Sequence, residues 1–160
     1  MKVLSLIFSL VLFVTGYAQK ADDTVDVFTF NADLLDSLIF EEINQTRLDS
    51  NLAKLFHSDS LDAEAYKHSE FMTQQRSISY SEGGKKAGEC NSKTFYRNVR
   101  KITYREYAKG IVQQWLESDG HAKLILGEFF LYGACGVDYM EWKSINEMYV
   151  YVCFRISYWP

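Results

Sequence analysis

The chain is poor in the residues that most chemistry needs. Three histidines and three cysteines are spread over 160 residues. An odd cysteine count leaves at least one thiol outside any intramolecular disulfide. No CxxC pair is present, so a zinc ribbon lacks its ligand set. HExxH, phosphate-cradling glycine patterns and a nucleophile elbow are also missing, which removes the common metalloprotease, nucleotide-binding and α/β-hydrolase signatures. There is no basic tract. Lys85-Lys86 and the Arg97/Arg100/Lys101 cluster are local, and the formal net charge is −4. A mildly acidic chain of this kind is a poor nucleic-acid binder. Internal repeats and linkers are lacking as well. What is abundant is apolar: 48% hydrophobic and 16% aromatic residues. That excludes disorder and suffices for one packed core.

The first residues stand apart. Lys2 precedes an apolar stretch over 3–14, followed by Gly16-Tyr17-Ala18. This reads as a signal peptide, residues 1–18, with small residues placed for cleavage after Ala18. The stretch is too short to cross a bilayer comfortably, and no cysteine follows it to carry a lipid. The expectation is a secreted or periplasmic protein with no stable membrane span after cleavage, in a compartment that permits disulfides.

Residues 19–32 read as a short, polar lead-in to a single domain over 33–160. Leu35, Ile39 and Ile43 lie four apart, which predicts a helix to about Leu48. A second helix starts near Ser60, capped by Ser58 or Ser60, with Leu61, Ala65, His68 and Met72 on its inner stripe. The Ser- and Gly-rich stretch 76–92 reads as a loop, and 94–102 as room for a short strand. Thr103-Tyr104-Arg105-Glu106 spells a capping box. The helix it opens buries Tyr104, Ala108, Ile111, Val112 and Trp115 and stops at Asp119-Gly120. Two strands over 131–139 and 148–158 close the chain as a hairpin, turning between Lys143 and Asn146. The fold class is α+β, helices packed on a small antiparallel sheet.

Few residues can carry chemistry. His121 can be a metal ligand, a general base or a ring filling a pocket, and none of these is settled by spacing alone. Glu89 on its own is a solvated or backbone-capping carboxylate. His68, on an inner helical stripe, reads as a hydrogen-bonded core histidine, and His57 as a surface one. With the hairpin turn near residue 144, Cys135 and Cys153 lie almost opposite each other. They are a possible disulfide or two small core residues. Asn44-Gln45-Thr46 matches a glycosylation sequon but falls within a helix.

The order of short signatures says more. Ile43-Asn44-Gln45-Thr46-Arg47 resembles the "IN-x-x-R" opening of the CAP superfamily, the cysteine-rich secretory, antigen 5 and pathogenesis-related proteins, also called the SCP domain. Leu55, Asp59, Leu61, Ala65, His68 and Met72 follow as in its bacterial members. Ile78-Ser79-Tyr80 stands where the family has "f-S-H", and Gly88-Glu89-Cys90 where it has "G-E-N". Trp115 with Ser118-Asp119-Gly120-His121, then Ile125-Leu126, is similar to "W-x-x-S-p-G-H-x-x-x-I-L". The resemblance spans about residues 34–156. It implies an α-β-α sandwich, export, and a cleft in which many members hold two histidines and two acids that can bind a divalent metal. Carried over, His121 is the second cleft histidine and Glu89 the first acid. Four positions depart. Tyr80 replaces the first histidine, Cys90 the asparagine of G-E-N, Leu124 the asparagine after the second histidine, and Ser118 stands, as in many bacterial members, where eukaryotic relatives have the second glutamate.

The reading is therefore an exported CAP-like binding or interaction module whose cleft is lined by Tyr80, Glu89, Ser118 and His121. The ligand class is open: a small lipid, a peptide or a surface partner. No metal or cofactor is expected, because one imidazole and one carboxylate fall short of a first-row metal's usual three or four ligands, and a neutral phenol is a poor substitute for an imidazole. The alternatives are a hydrolase in which Glu89 orients His121 as a base, and a structural cell-surface component.

Overall fold

The computed structural model describes residues 18–81 and 87–160. Apart from Ala18, the expected signal peptide lies outside the described residues. The elements are α1 (Ala32–Asp49), β1 (Phe56–His57), α2 (Asp59–Gln75), β2 (Ala87–Arg97), α3 (Tyr104–Leu116), α4 (Asp119–Ile125), β3 (Tyr132–Trp142), a 3-10 turn (Lys143–Ile145) and β4 (Glu147–Ser157). The four strands form one sheet in the order β1-β3-β4-β2. It is antiparallel except for β1, which pairs parallel with the start of β3. The helices lie on both faces, giving three layers of helix, sheet and helix. The main core lies between the sheet and α1 and α3, and a smaller one under α2 contains Ala65, Met72, Tyr151 and Cys153. Among the described residues, no helix is long and apolar enough to cross a membrane.

Local chemistry accounts for most boundaries. Asn31 caps α1 by accepting from Leu34 N at 3.0 Å, and Ser58 caps α2 through Leu61 N. The capping box of α3 forms in both directions between Thr103 and Glu106. Leu61, Ala65, His68 and Met72 are all buried. The hairpin turns through Asn146, a residue that tolerates the left-handed conformation it adopts (φ 57°). The lead-in packs on the domain: Val25, Val27 and Phe30 are buried and Thr24 bridges Thr103.

Several expectations are corrected. Residues from Ala87 onward are strand, not loop, so Gly88-Glu89-Cys90 sits inside β2. The alternation is hidden because Glu89 and Asn91, polar in sequence, both face a buried network. Gly120 does not end a helix. Instead α3 stops at Leu116, and Gly120 lies inside α4 without a left-handed backbone. The three cysteines are free and buried. Cys153 pairs with Gly136, while Cys135 pairs with Phe154. A register one residue away from the expected one puts the two thiols on opposite faces of the sheet, so the Cys135–Cys153 disulfide is not formed. Both are small core residues, one in each layer.

Candidate functional site: a tethered loop facing a short helix

The site is built around Ser79-Tyr80-Ser81, the segment that leaves α2. The backbone alternates there, so Ser79 and Ser81 turn inward and Tyr80 outward. The carbonyl of Ser79 accepts from His68 Nε2 at 2.8 Å and from Asn91 Nδ2 at 2.6 Å. Ser81 donates its backbone N–H to Glu89 Oε1 at 3.2 Å and its hydroxyl to Glu89 Oε2. Arg155 Nη2 donates to that same hydroxyl at 2.6 Å. Both flanks of Tyr80 are therefore held from the interior, and the phenol between them is 61% exposed.

The holding network follows from sheet register. Glu89 on β2 and Arg155 on β4 are direct cross-strand partners, the geometry in which opposite charges pair best on a sheet. Arg155 Nη1 lies 3.2 Å from Glu89 Oε2. Asn91, one pleat along β2, donates to Glu89 Oε1. The α2 helix covers this face and brings His68 Nε2 to within 3.3 Å of the same carboxylate oxygen. His68, Asn91 and Arg155 are all buried. Ser79 Oγ, Asn91 Oδ1 and Arg155 Nε have no hydrogen-bond partner among the described residues. A buried ionic network with such orphans fixes a geometry more than it adds net stability.

His121 comes from the other side, on α4. Its Nε2 lies 3.1 Å from the Tyr80 hydroxyl. Partial burial lowers the imidazole pKa below its usual 6.5, so at neutral pH the ring is uncharged. The position of α4 is set from a distance by Arg47, which is fully buried. Its guanidinium donates to the carbonyls of Ile125 (2.7 Å), Gly127 (2.9 Å), Phe130 (3.3 Å) and Ala53 (2.8 Å). Asn44 exchanges two hydrogen bonds with the backbone of Leu55. Arg47 of the first helix thus pins the end of α4, while Asn44 pins the connector before β1. Leu124 seats α4 further, since a Cβ on Gly88 would come within 2.5 Å of Leu124 Cδ2. Ser118 occupies the N-cap position of α4 without a side-chain capping bond.

Of the expected site residues, Tyr80 and His121 meet directly. The carboxylate of Glu89 is taken up by Ser81, Asn91, His68 and Arg155. His68 is the hydrogen-bonded core histidine expected of its stripe, but its partners were not foreseen. Arg155 was missed altogether. The one available signal was a charge within the apolar run Val150–Ile156 (VYVCFRI), because a buried charge calls for a buried counter-charge.

The donor set does not fit a divalent metal. His121 is matched with a phenol, the Glu89 oxygens are bonded to donors and a guanidinium, and no group of three His, Cys, Asp or Glu among the described residues is placed to hold an ion. Cys90 is not an accessible nucleophile either. Its side chain lies in the main core on the opposite face from Glu89, and burial pushes its thiol pKa far up.

Comparison with known proteins agrees with this architecture. The family model described as "CAP: Cysteine-rich secretory protein family" matches residues 40–153. Among solved structures, an extracellular protein containing a SCP domain from Bacillus anthracis is similar with TM-score 0.54 and 20% identity. That match covers 77% of this chain and 40% of that one. MpPR-1i is similar with TM-score 0.52 and 15% identity over 79% of this chain and 90% of that one. The CAP domain of Enterococcal PrgA gives 0.50 and 16%, covering 84% and 66%. A search of curated protein sequences finds no significant match.

Proposed function

The chain belongs to the CAP family of cysteine-rich secretory proteins, and on that premise we propose that it is an exported binding module whose contact face is the Tyr80–His121 rim. The observation that carries this reading is the state of Glu89. Its two oxygens accept from Ser81 and Asn91 and lie beside Arg155 and His68. A carboxylate so occupied holds a loop and does not act as a base. His121 is left with a phenol and no adjacent nucleophile, an arrangement that recognises a partner through ring contacts and hydrogen bonds. A small lipid, a peptide or a surface partner suits an exposed tyrosine beside an uncharged imidazole. Export is supported by the leader-like N-terminus and by the extracellular Bacillus anthracis protein among the structural neighbours.

A second reading, a structural surface component, is favoured by Leu124. This side chain packs α4 down on Gly88, where the family has an asparagine. The hydrolase reading has no comparable observation behind it.

The test has two arms. A photo-crosslinking side chain placed at Tyr80 captures a cell-envelope or medium component that the same group at Lys109, on the exposed surface of α3, does not. Hydrolysis of p-nitrophenyl acetate and casein by wild type and His121→Ala proceeds at the same background rate. Turnover that depends on His121 would overturn the binding reading in favour of hydrolysis. Identical capture at both positions would favour the structural one.

A further inference from the structure

A concavity lies away from the Tyr80–His121 rim, at the far end of β2. Strand β2 is a sheet edge, pairing only with β4. Between that edge and α3 is a cavity of about 250 Å³. Tyr96, Ile102 and Ile111 supply apolar walls, while the ring of Phe95 is turned to Tyr149 on the opposite face of the sheet, and no residue of α1, α2 or α4 contributes. Two hydroxyls meet inside it, Thr94 Oγ1 and Tyr107 Oη, 2.5 Å apart. One proton of such a pair bridges the oxygens and the other is available to an acceptor.

Two features indicate that this space is kept open. Gly110 lines it at the middle of α3, where glycine is among the poorest helix formers. A Cβ built there meets nothing within 4 Å. Neither packing nor backbone requires the glycine, so the missing side chain leaves the cavity accessible. The second feature is Arg100. It lines the cavity, and its charge acts on the Tyr107 hydroxyl, offsetting part of the burial that raises that phenol's pKa. No carboxylate forms an ion pair with Arg100 among the described residues. Glu106 also borders the cavity, but its Oε2 is engaged by the Thr103 backbone N–H and hydroxyl at the head of α3.

We propose that this cavity binds a small organic anion with an aromatic or compact apolar body, its carboxylate set between the Arg100 guanidinium and the Tyr107 hydroxyl. Its volume is just below the range of about 300–1,000 Å³ that takes drug-sized ligands, so the occupant has roughly ten heavy atoms. This site does not depend on the reading of the Tyr80–His121 rim.

Isothermal titration calorimetry with 3-phenylpropionate tests it. Wild type binds saturably, and Arg100→Gln binds at least about tenfold more weakly, the loss expected of a charge-assisted contact. Gly110→Leu loses binding while its melting midpoint does not fall, because the new side chain enters empty space on a helix it favours. His121→Ala binds like wild type. The proposal is overturned if wild type shows no saturable heat, or if R100Q and G110L both match wild type. It is equally overturned if 2-phenylethylamine binds as well as the acid, or if H121A abolishes binding and so places the probe at the other site.

Discussion

Arg47 shows how much of the site is decided by a residue that never reaches it. Its guanidinium joins α1 to the connector before β1 and to the segment following α4. Arg47→Ala leaves four carbonyls without this donor and is expected to cost about 3–5 kcal/mol in chemical denaturation. The motif containing Arg47 is legible in the sequence; its purpose is not, because its partners lie up to 83 residues away. Asn44 is similar. The sequon it begins is visible, but its amide is engaged with Leu55, inside the fold. Asp36 gives a pH signature. Burial, then the charges of Asp62 and Asp33, push its pKa up to about 8 from an ordinary 3.8. Below pH 4 both folded and unfolded forms are protonated and nothing is lost. Between about pH 4 and 8 the unfolded chain ionises first, so stability falls as pH rises and levels off above that window. Asp36→Asn should remove this slope. The variant matches wild type near pH 4 and exceeds it at pH 8 by on the order of 2 kcal/mol in urea midpoints.

At the scale of elements, three of the four described helices were legible, while α4 and the first long strand were not. Periodicity and caps mark α1, α2 and α3, because each has one apolar stripe and a side chain that satisfies its first turn. Strand β2 opens with Gly88, Glu89 and Asn91, and a strand that buries polar groups against other polar groups shows no alternation to read. The thiol pair failed for a related reason. A hairpin turn placed half a residue early moves a side chain to the other face. Contact between elements also depends on what is absent. A Cβ on Gly136 would come within 2.3 Å of the Tyr66 backbone nitrogen, so α2 lies directly on β3 there. Gly136→Ala should separate the two layers and lower stability by roughly 2–4 kcal/mol, detectable as a fall in melting temperature and loss of protection across α2.

Across the whole molecule, the account is of a CAP sandwich whose polar interior positions a surface feature. With Cys90, Cys135 and Cys153 free and buried, the melting midpoint should be the same with and without reductant. A reductant-sensitive midpoint would mean that a disulfide forms at the cost of the register described. The central claim is the proposal that Glu89 tethers the Tyr80 loop and does not serve as a catalytic acid. Equilibrium unfolding of Glu89→Gln beside His121→Ala tests it most directly. The account predicts that E89Q loses about 3–5 kcal/mol by leaving Arg155 buried with only the more distant and half-exposed Glu64 carboxylate, 4.0 Å away, as counter-charge, while H121A loses less than about 1 kcal/mol. An E89Q protein as stable as wild type, or more stable, would show a carboxylate maintained at a cost for chemistry, and the claim would fail.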